Sequence, residues 1–355
     1  MKLVWVAIVG ASLAHARADA EPPLVFQRHD LSAGAFGQVT QGMGAGDVDG
    51  DGRIDLVVGG DEHLLLYRNP GFTPSLIAGG YKFGGGSAVR ARDMNGDGRM
   101  DVLTGRYPFD VSALRETLWY ENTPLGWVPH QMSTIAYCHD VAFGDVDGDG
   151  IADMACGDLF RDELSWVAGP ADPRAEWTVH TIDSRRVQGV AMADVDRDGR
   201  LDIVAGRGFY RNLGGNPVTW QRIALTTLVD DADRRFDDYA KVDIQDLDGD
   251  GRLDVFATLF ADSREGQVWA FFQPADAVNE PWTGVQIDPG PLFGVHSQGA
   301  GSFDGTARPQ LMVGETNIGG FGFGPKPNPP MFVSPTITCG RDVPSKLPAP
   351  WLCTP

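Results

Sequence analysis

Basic side chains are scarce in this 355-residue chain: 29 Lys and Arg stand against 48 Asp and Glu, a formal charge of −19 at pH 7. That balance excludes a nucleic-acid partner, whose phosphates require a basic footprint. Cysteine is rare too, with four in all and no closely spaced pair of the kind a zinc site uses. Long apolar runs are missing. The one candidate, Leu3–Leu13, falls well short of the roughly 20 residues that span a bilayer as a helix. No Gly-x-Ser-x-Gly elbow, phosphate-binding glycine loop or dinucleotide fingerprint occurs, so the commonest hydrolase and nucleotide-dependent classes lack their signatures.

Glycine and proline, by contrast, are plentiful at 46 and 24, as expected where many short strands are joined by tight turns. The length accommodates one large all-β domain or two ordinary ones. Lys2, the apolar stretch Leu3–Leu13 and the small-x-small site Ala18-Asp-Ala20 before Glu21 read as a cleavable signal peptide over residues 1–20, with Ala14-His-Ala16 as a second cut. The mature protein is therefore expected to be secreted or periplasmic, with no membrane span. In an exported chain the four cysteines can pair in three ways. Cys339 and Cys353 are placed to pin the Pro-rich tail, residues 336–355. Cys138 and Cys156 flank one acidic loop and can be joined, although strand counting does not set them directly opposite.

The dominant feature is an acidic loop of one design, present five times. Its oxygen donors fall at positions 1, 3, 5 and 9, with a backbone carbonyl at position 7. The copies are Asp47, Asp49, Asp51, Arg53 and Asp55; Asp93, Asn95, Asp97, Arg99 and Asp101; Asp145, Asp147, Asp149, Ile151 and Asp153; Asp194, Asp196, Asp198, Arg200 and Asp202; and Asp246, Asp248, Asp250, Arg252 and Asp254. Such spacing can wrap one hard cation that takes six to eight oxygens, and the glycine at position 6 permits the left-handed bend that turns the oxygens inward. About five structural Ca2+ are expected. An EF-hand is excluded, because position 12 holds Val58, Thr104, Cys156, Ala205 and Ala257 rather than a bidentate Glu. Each loop leads instead into a short apolar segment such as Ile54-Asp-Leu-Val-Val58, which reads as a buried strand.

The first loop position recurs every 46 to 52 residues, a period that signals stacked or radial β-units. A sixth, degraded copy runs from Ser302 to Gln310 and has lost three carboxylates, so no calcium is expected there. Each repeat divides into four strands: one entering the loop, one leaving it, an aromatic third such as Leu118-Trp-Tyr120, and a fourth such as Trp177-Thr-Val-His-Thr-Ile182. With Leu24–Leu31 supplying the missing fourth strand of the last unit, the count predicts a six-bladed β-propeller over roughly residues 21–335. Closure of that kind removes exposed sheet edges. The strand aromatics are expected to be core between blades.

These residues resemble the FG-GAP or VCBS repeat family, whose hallmark is Asp-x-Asp-Gly-Asp-Gly-x-x-Asp between two blade strands. The resemblance spans nearly the whole mature chain and implies calcium in each intact loop. The Gly-Ala-Pro of integrin α repeats is absent, replaced by Val58-Gly59-Gly60 and similar. That departure points to the secreted bacterial-type repeats, which serve in sugar binding, adhesion and some polysaccharide lyases. Fold and metal follow from the resemblance better than activity does.

Loops on the face opposite the calcium loops are longer and chemically richer, as in 106–116, 229–239 and 315–330. There Tyr81, Lys82, His139, Asp140, Arg185, Arg186, Tyr239, Lys241 and His296 would line a charge-mixed, aromatic mouth suited to an anionic or hydroxylated glycan, and the chain is expected to be a binding module for carbohydrate or a cell-surface partner. An alternative is a lyase acting on uronate-containing polysaccharides by β-elimination. In it His139 or His296 would be the base, Tyr239 the acid, and Arg185 or Lys241 the neutraliser of the substrate carboxylate.

Overall fold

The computed structural model of the chain describes residues 40–84, 88–107, 116–132, 138–158, 161–225, 240–259, 267–287, 295–301 and 310–315. Among the described residues every regular element is a β-strand. The chain divides into two compact units, whose described parts are residues 40–186 and 187–315.

The first unit contains three sheets. The first is the meander β1 (Thr40–Gly46), β2 (Asp55–Gly60), β3 (His63–Arg68) and β4 (Thr73–Gly79), paired in that order. The second comprises β5 (Lys82–Phe83), β6 (Val89–Arg92), β7 (Asp101–Tyr107), β8 (Glu116–Thr123) and β9 (Gly126–Gln131). Here β5 and β6 both pair with β7, Lys82 opposite Tyr107 and Val89 opposite Thr104, so they are two halves of one interrupted inner strand. The third is β10 (Asp140–Gly144), β11 (Asp153–Asp158), β12 (Glu163–Ala168) and β13 (Thr178–Asp183).

The second unit repeats the design with β14 (Val190–Ala193), β15 (Asp202–Ala205), β16 (Gly208–Asn212) and β17 (Trp220–Ala224), then β18 (Ala240–Gln245), β19 (Asp254–Leu259), β20 (Gln267–Phe272) and β21 (Thr283–Ile287). A further pair, β22 (Val295–Gly301) and β23 (Gln310–Glu315), flanks the degraded loop. Four-stranded antiparallel meanders of this kind are propeller blades in form. The segment Leu24–Leu31, the degraded loop from residue 302, the tail and the signal segment lie outside the described residues.

The third strands read as unbroken apolar runs because both of their faces are covered. Side chains alternate across a strand with period two. In β8, Leu118 and Tyr120 pack with Val57, Leu64 and Phe83 of the first sheet's side, while Trp119 packs with Met154, Val167 and Trp177 of the third. In the second unit, Val255, Ala257 and Phe271 face Val204 and Phe209, whereas Phe256, Val268 and Ala270 face Leu311 and Val313. Trp119 is fully buried, and Trp177, Phe271 and Trp282 nearly so, as expected of core between blades.

Inner strands approach backbone to backbone. A Cβ on Gly44 would lie 2.8 Å from the Val89 carbonyl oxygen, and one on Gly59 would lie 2.9 Å from that of Phe83. Only glycine allows β1 and β2 so close to β5 and β6.

Candidate functional site

Each acidic loop fills the hairpin between a sheet's first and second strands, and its position-9 aspartate opens the second strand. The apolar residue at position 2 anchors the loop from below: Val48, Val146, Val195 and Leu247 are buried in the core. Position 6 is glycine at φ of 82 to 89° in all five loops, the left-handed region where a side chain is disfavoured. Position 4 is likewise left-handed and glycine, except in the fourth loop. There Arg197 takes φ of 60° and its guanidinium reaches the Gly251 carbonyl in the fifth loop.

The position-1 carboxylate curls the turn. Asp47 accepts the N–H groups of Asp51 at 3.0 Å and Gly52 at 2.9 Å, Asp93, Asp194 and Asp246 act alike, and Asp145 accepts those of Gly148 at 2.8 Å and Gly150 at 3.0 Å. The position-9 carboxylate ties the loop to the sheet. One oxygen accepts the position-2 N–H, as from Val48 to Asp55 at 3.0 Å. The other accepts an N–H at the end of the third strand: Asn69 to Asp55, Asn122 to Asp101, Gly169 to Asp153 and Asn212 to Asp202, all 2.8 Å, and Gln273 to Asp254 at 2.9 Å. All five of these aspartates are buried. Burial lifts the carboxyls of Asp101, Asp153 and Asp202 to about 6 and that of Asp254 to about 7, against the lowering effect of two backbone hydrogen bonds each, or three at Asp202.

Ligand-capable oxygens converge. In the trios Asp47, Asp49, Asp55; Asp145, Asp147, Asp153; Asp194, Asp196, Asp202; and Asp246, Asp248, Asp250, one carboxylate oxygen of each member lies within 4.8 Å of the others. The fifth loop converges through Asp250 rather than Asp254. Such an all-oxygen donor set fits a hard divalent cation and not a soft one. Each oxygen that accepts one N–H keeps a second lone pair for a cation.

Sequence reasoning missed the shell around these donors. At position 7, Arg53, Arg99, Arg200 and Arg252 supply more than a carbonyl. Each guanidinium pairs with the position-5 aspartate and donates Nε–H to a strand-end carbonyl, of Asn69, Asn122, Asn212 or Gln273. Ile151 takes that position in the third loop. The signal was present as a recurring Tyr-Arg/Glu-Asn: Tyr67-Arg68-Asn69, Tyr120-Glu121-Asn122 and Tyr210-Arg211-Asn212. Glu121 is mostly buried. Hydrogen bonds from Arg174, then His130 at 2.8 Å, hold its carboxyl down to about 2.

The residues expected at the opposite face are spread over both units. In the first, the Arg106 guanidinium lies over the Tyr81 ring at 4.5 Å and bonds Glu116 at 2.7 Å, and Lys82 sits 5.9 Å over Tyr107. His139 is buried, and its backbone N–H donates to the Gly157 carbonyl at 2.8 Å. Asp140 pairs with Arg90, Arg185 with Asp183 at 3.2 Å and Arg186 with Asp162 at 3.2 Å. In the second unit, Lys241 is opposite Thr258 and His296 belongs to β22, while Tyr239 lies outside the described residues. Cys138 and Cys156 form a disulfide, although Val141 is the residue opposite Cys156 in the ladder. Cys339 and Cys353 lie outside the described residues.

A family model described as FG-GAP-like repeat matches residues 47–104. Integrin alpha pat-2 of Caenorhabditis elegans and its counterpart in Caenorhabditis briggsae are each 27% identical to this chain, across 52% of it and 18% of the relative. The chain thus spans less than a fifth of the length of those curated relatives. Among solved structures, the crystal structure of the V. cholerae biofilm matrix protein Bap1 aligns with 63% of this chain and 34% of that one, at 18% identity and a TM-score of 0.34, too slight a likeness to carry an argument. The matched segment runs from the first acidic loop to the strand that leaves the second, and over it the chain is similar to the FG-GAP repeat family.

Proposed function

We propose that this chain is an exported, calcium-stabilised β-propeller of six blades that acts as a binding module for carbohydrate or a cell-surface partner. One observation carries the reading: four sets of three carboxylate oxygens, each set within 4.8 Å, recur in the acidic loops of the first, third, fourth and fifth sheets. Carboxylates so gathered repel one another unless a cation joins them. With the second loop, five Ca2+ would offset about half of the −19 charge, and their role is structural. The likeness to integrin alpha chains supports engagement of partners, and the exported state keeps the loops supplied with calcium.

Two measurements test this. Elemental analysis of the purified mature chain should find about five calcium ions, and a glycan array probed in calcium should show binding that EDTA abolishes. The competing lyase reading would be favoured instead if uronic-acid polysaccharides yielded an unsaturated, ultraviolet-absorbing product. A metal-free chain with full thermal stability would overturn the proposal.

A further inference from the structure

The second loop departs from the others in two places at once. Its position 3 is Asn95 rather than aspartate. The other departure is in the third strand. There the residue just before the strand-end donor is Arg68, Ala168, Arg211 or Phe272 in the other sheets, and Glu121 in this one.

The two changes meet. In the fourth loop, Asp196 turns Oδ1 inward to accept the Asp198 N–H at 3.2 Å and turns Oδ2 outward to Nε of Arg211. In the first loop, Oδ2 of Asp49 lies 3.5 Å from Nε of Arg68. In the second, Asn95 Oδ1 accepts the Asp97 N–H at 3.1 Å, and Nδ2 donates to Oε1 of Glu121 at 3.0 Å and to Oδ2 of Asp97 at 3.2 Å. The contact keeps its geometry and reverses its polarity. Carboxylate and donor have changed sides.

We propose that Glu121 is the positioning residue of the second cation site. An amide can present either oxygen or NH2 to the cage, and only the oxygen can ligate. An ionised carboxylate only accepts, so Glu121, the shorter of the two contacts that Nδ2 makes, favours the one orientation that leaves Asn95 Oδ1 free to ligate. It also returns to the loop the negative charge that asparagine removed. Glu121 is itself held fast by Arg174, with Nε at 3.1 Å, and by His130 Nε2 at 2.8 Å. The proposal rests on the reading of the loops as calcium sites. A residue that merely braced Arg174 would affect melting without moving the metal.

Calcium itself is the probe, counted per chain by elemental analysis after dialysis against stepped free calcium, with melting followed separately. E121Q keeps an acceptor oxygen and should retain five ions. E121K presents a donor, pulls the Asn95 oxygen outward and should weaken one site by about 10- to 100-fold, the range for lost outer-shell partners. N95D/E121K rebuilds the aspartate–cation contact of the first and fourth loops and should recover the fifth ion. If E121K does not fold, E121A replaces it, and loss of one ion from a cooperatively melting chain supports the assignment. Five ions at unchanged affinity in E121K or E121A overturn it, as does a folded N95D/E121K that stays at four. A wild-type chain without calcium overturns the underlying calcium reading instead.

Discussion

At the scale of single residues, the position-9 aspartates do two jobs that mutation can separate. Asp202 is fully buried, and its oxygens accept the N–H groups of Val195 at 3.0 Å and Asn212 at 2.8 Å. D202A removes both acceptors, and each buried donor left unpaired costs about 1–3 kcal/mol. The loss should appear in denaturant titrations with EDTA present as well as in calcium. Asp198, half-buried and paired with Arg200 and Arg211 rather than with the sheet, is different. D198A should empty the fourth site, yet in EDTA it should cost no more than about 1 kcal/mol. Equal losses from the two substitutions in EDTA would refute this division. Acidity gives a second handle. Folded Asp101, Asp153 and Asp202 titrate near 6 and Asp254 near 7 because burial disfavours their anions. These folded values lie above the unfolded 3.8, so the metal-free fold binds more protons than the unfolded chain between them. The associated stability is complete below 3.8 and is lost as pH rises through 6 to 7. In EDTA the melting temperature should therefore rise from about pH 8 to about pH 5, whereas in saturating calcium it should fall as protons displace the ion. Shifts of one sign in both buffers would count against this account.

At the scale of elements, the third sheet combines an unclamped loop with a covalent tie. Ile151 cannot pair with Asp149 as the position-7 arginines do elsewhere, and the Cys138–Cys156 disulfide closes a ring of 18-residue separation around that loop. Cross-links over loops of this size contribute about 3 kcal/mol, mainly by restricting the unfolded chain. C138S/C156S should lose about that much by chemical denaturation, and an unchanged midpoint would contradict the estimate. The four-strand repeat, the loop positions and the strand aromatics were all legible in the sequence, because period-two burial and the Asp spacing are local patterns. The disulfide was not. Cys138 precedes β10, donating its N–H to Thr117 Oγ1 at 3.1 Å and accepting that of Ala88 at 3.4 Å, so counting along the hairpin misjudges its reach. The role of Glu121 was hidden for a related reason. The triplet Tyr120-Glu121-Asn122 acquires meaning only once the register sets Tyr120 opposite Val102 and so brings Glu121 to Asn95.

At the scale of the whole molecule, charge and metal form one problem. The five loops contain 19 of the 48 acidic side chains, which leaves 29, the same number as Lys and Arg. Numerically, the loops account for the entire excess of negative charge. Two unit charges about 4.8 Å apart repel by about 1 kcal/mol even at the dielectric constant of water, and each trio contains three such pairs. Arginine clamps relieve part of this in four loops, but a divalent ion would relieve it at the centre. A ligand at 100 times its Kd stabilises the folded state by about 2.7 kcal/mol per site, and whole domains are stable by only about 5–15 kcal/mol. Emptying five sites should therefore remove much of the fold's margin, and calorimetry in EDTA should show a large drop in melting temperature that excess calcium reverses. The cause can be told from the effect by adding salt to the chelated protein. Exposed charges are screened within about 3 Å at 1 M ionic strength, so concentrated sodium chloride should restore part of the lost melting temperature if repulsion is responsible. A chelated chain that melts low and ignores salt would show that lost coordination geometry, rather than uncompensated charge, is what calcium corrects.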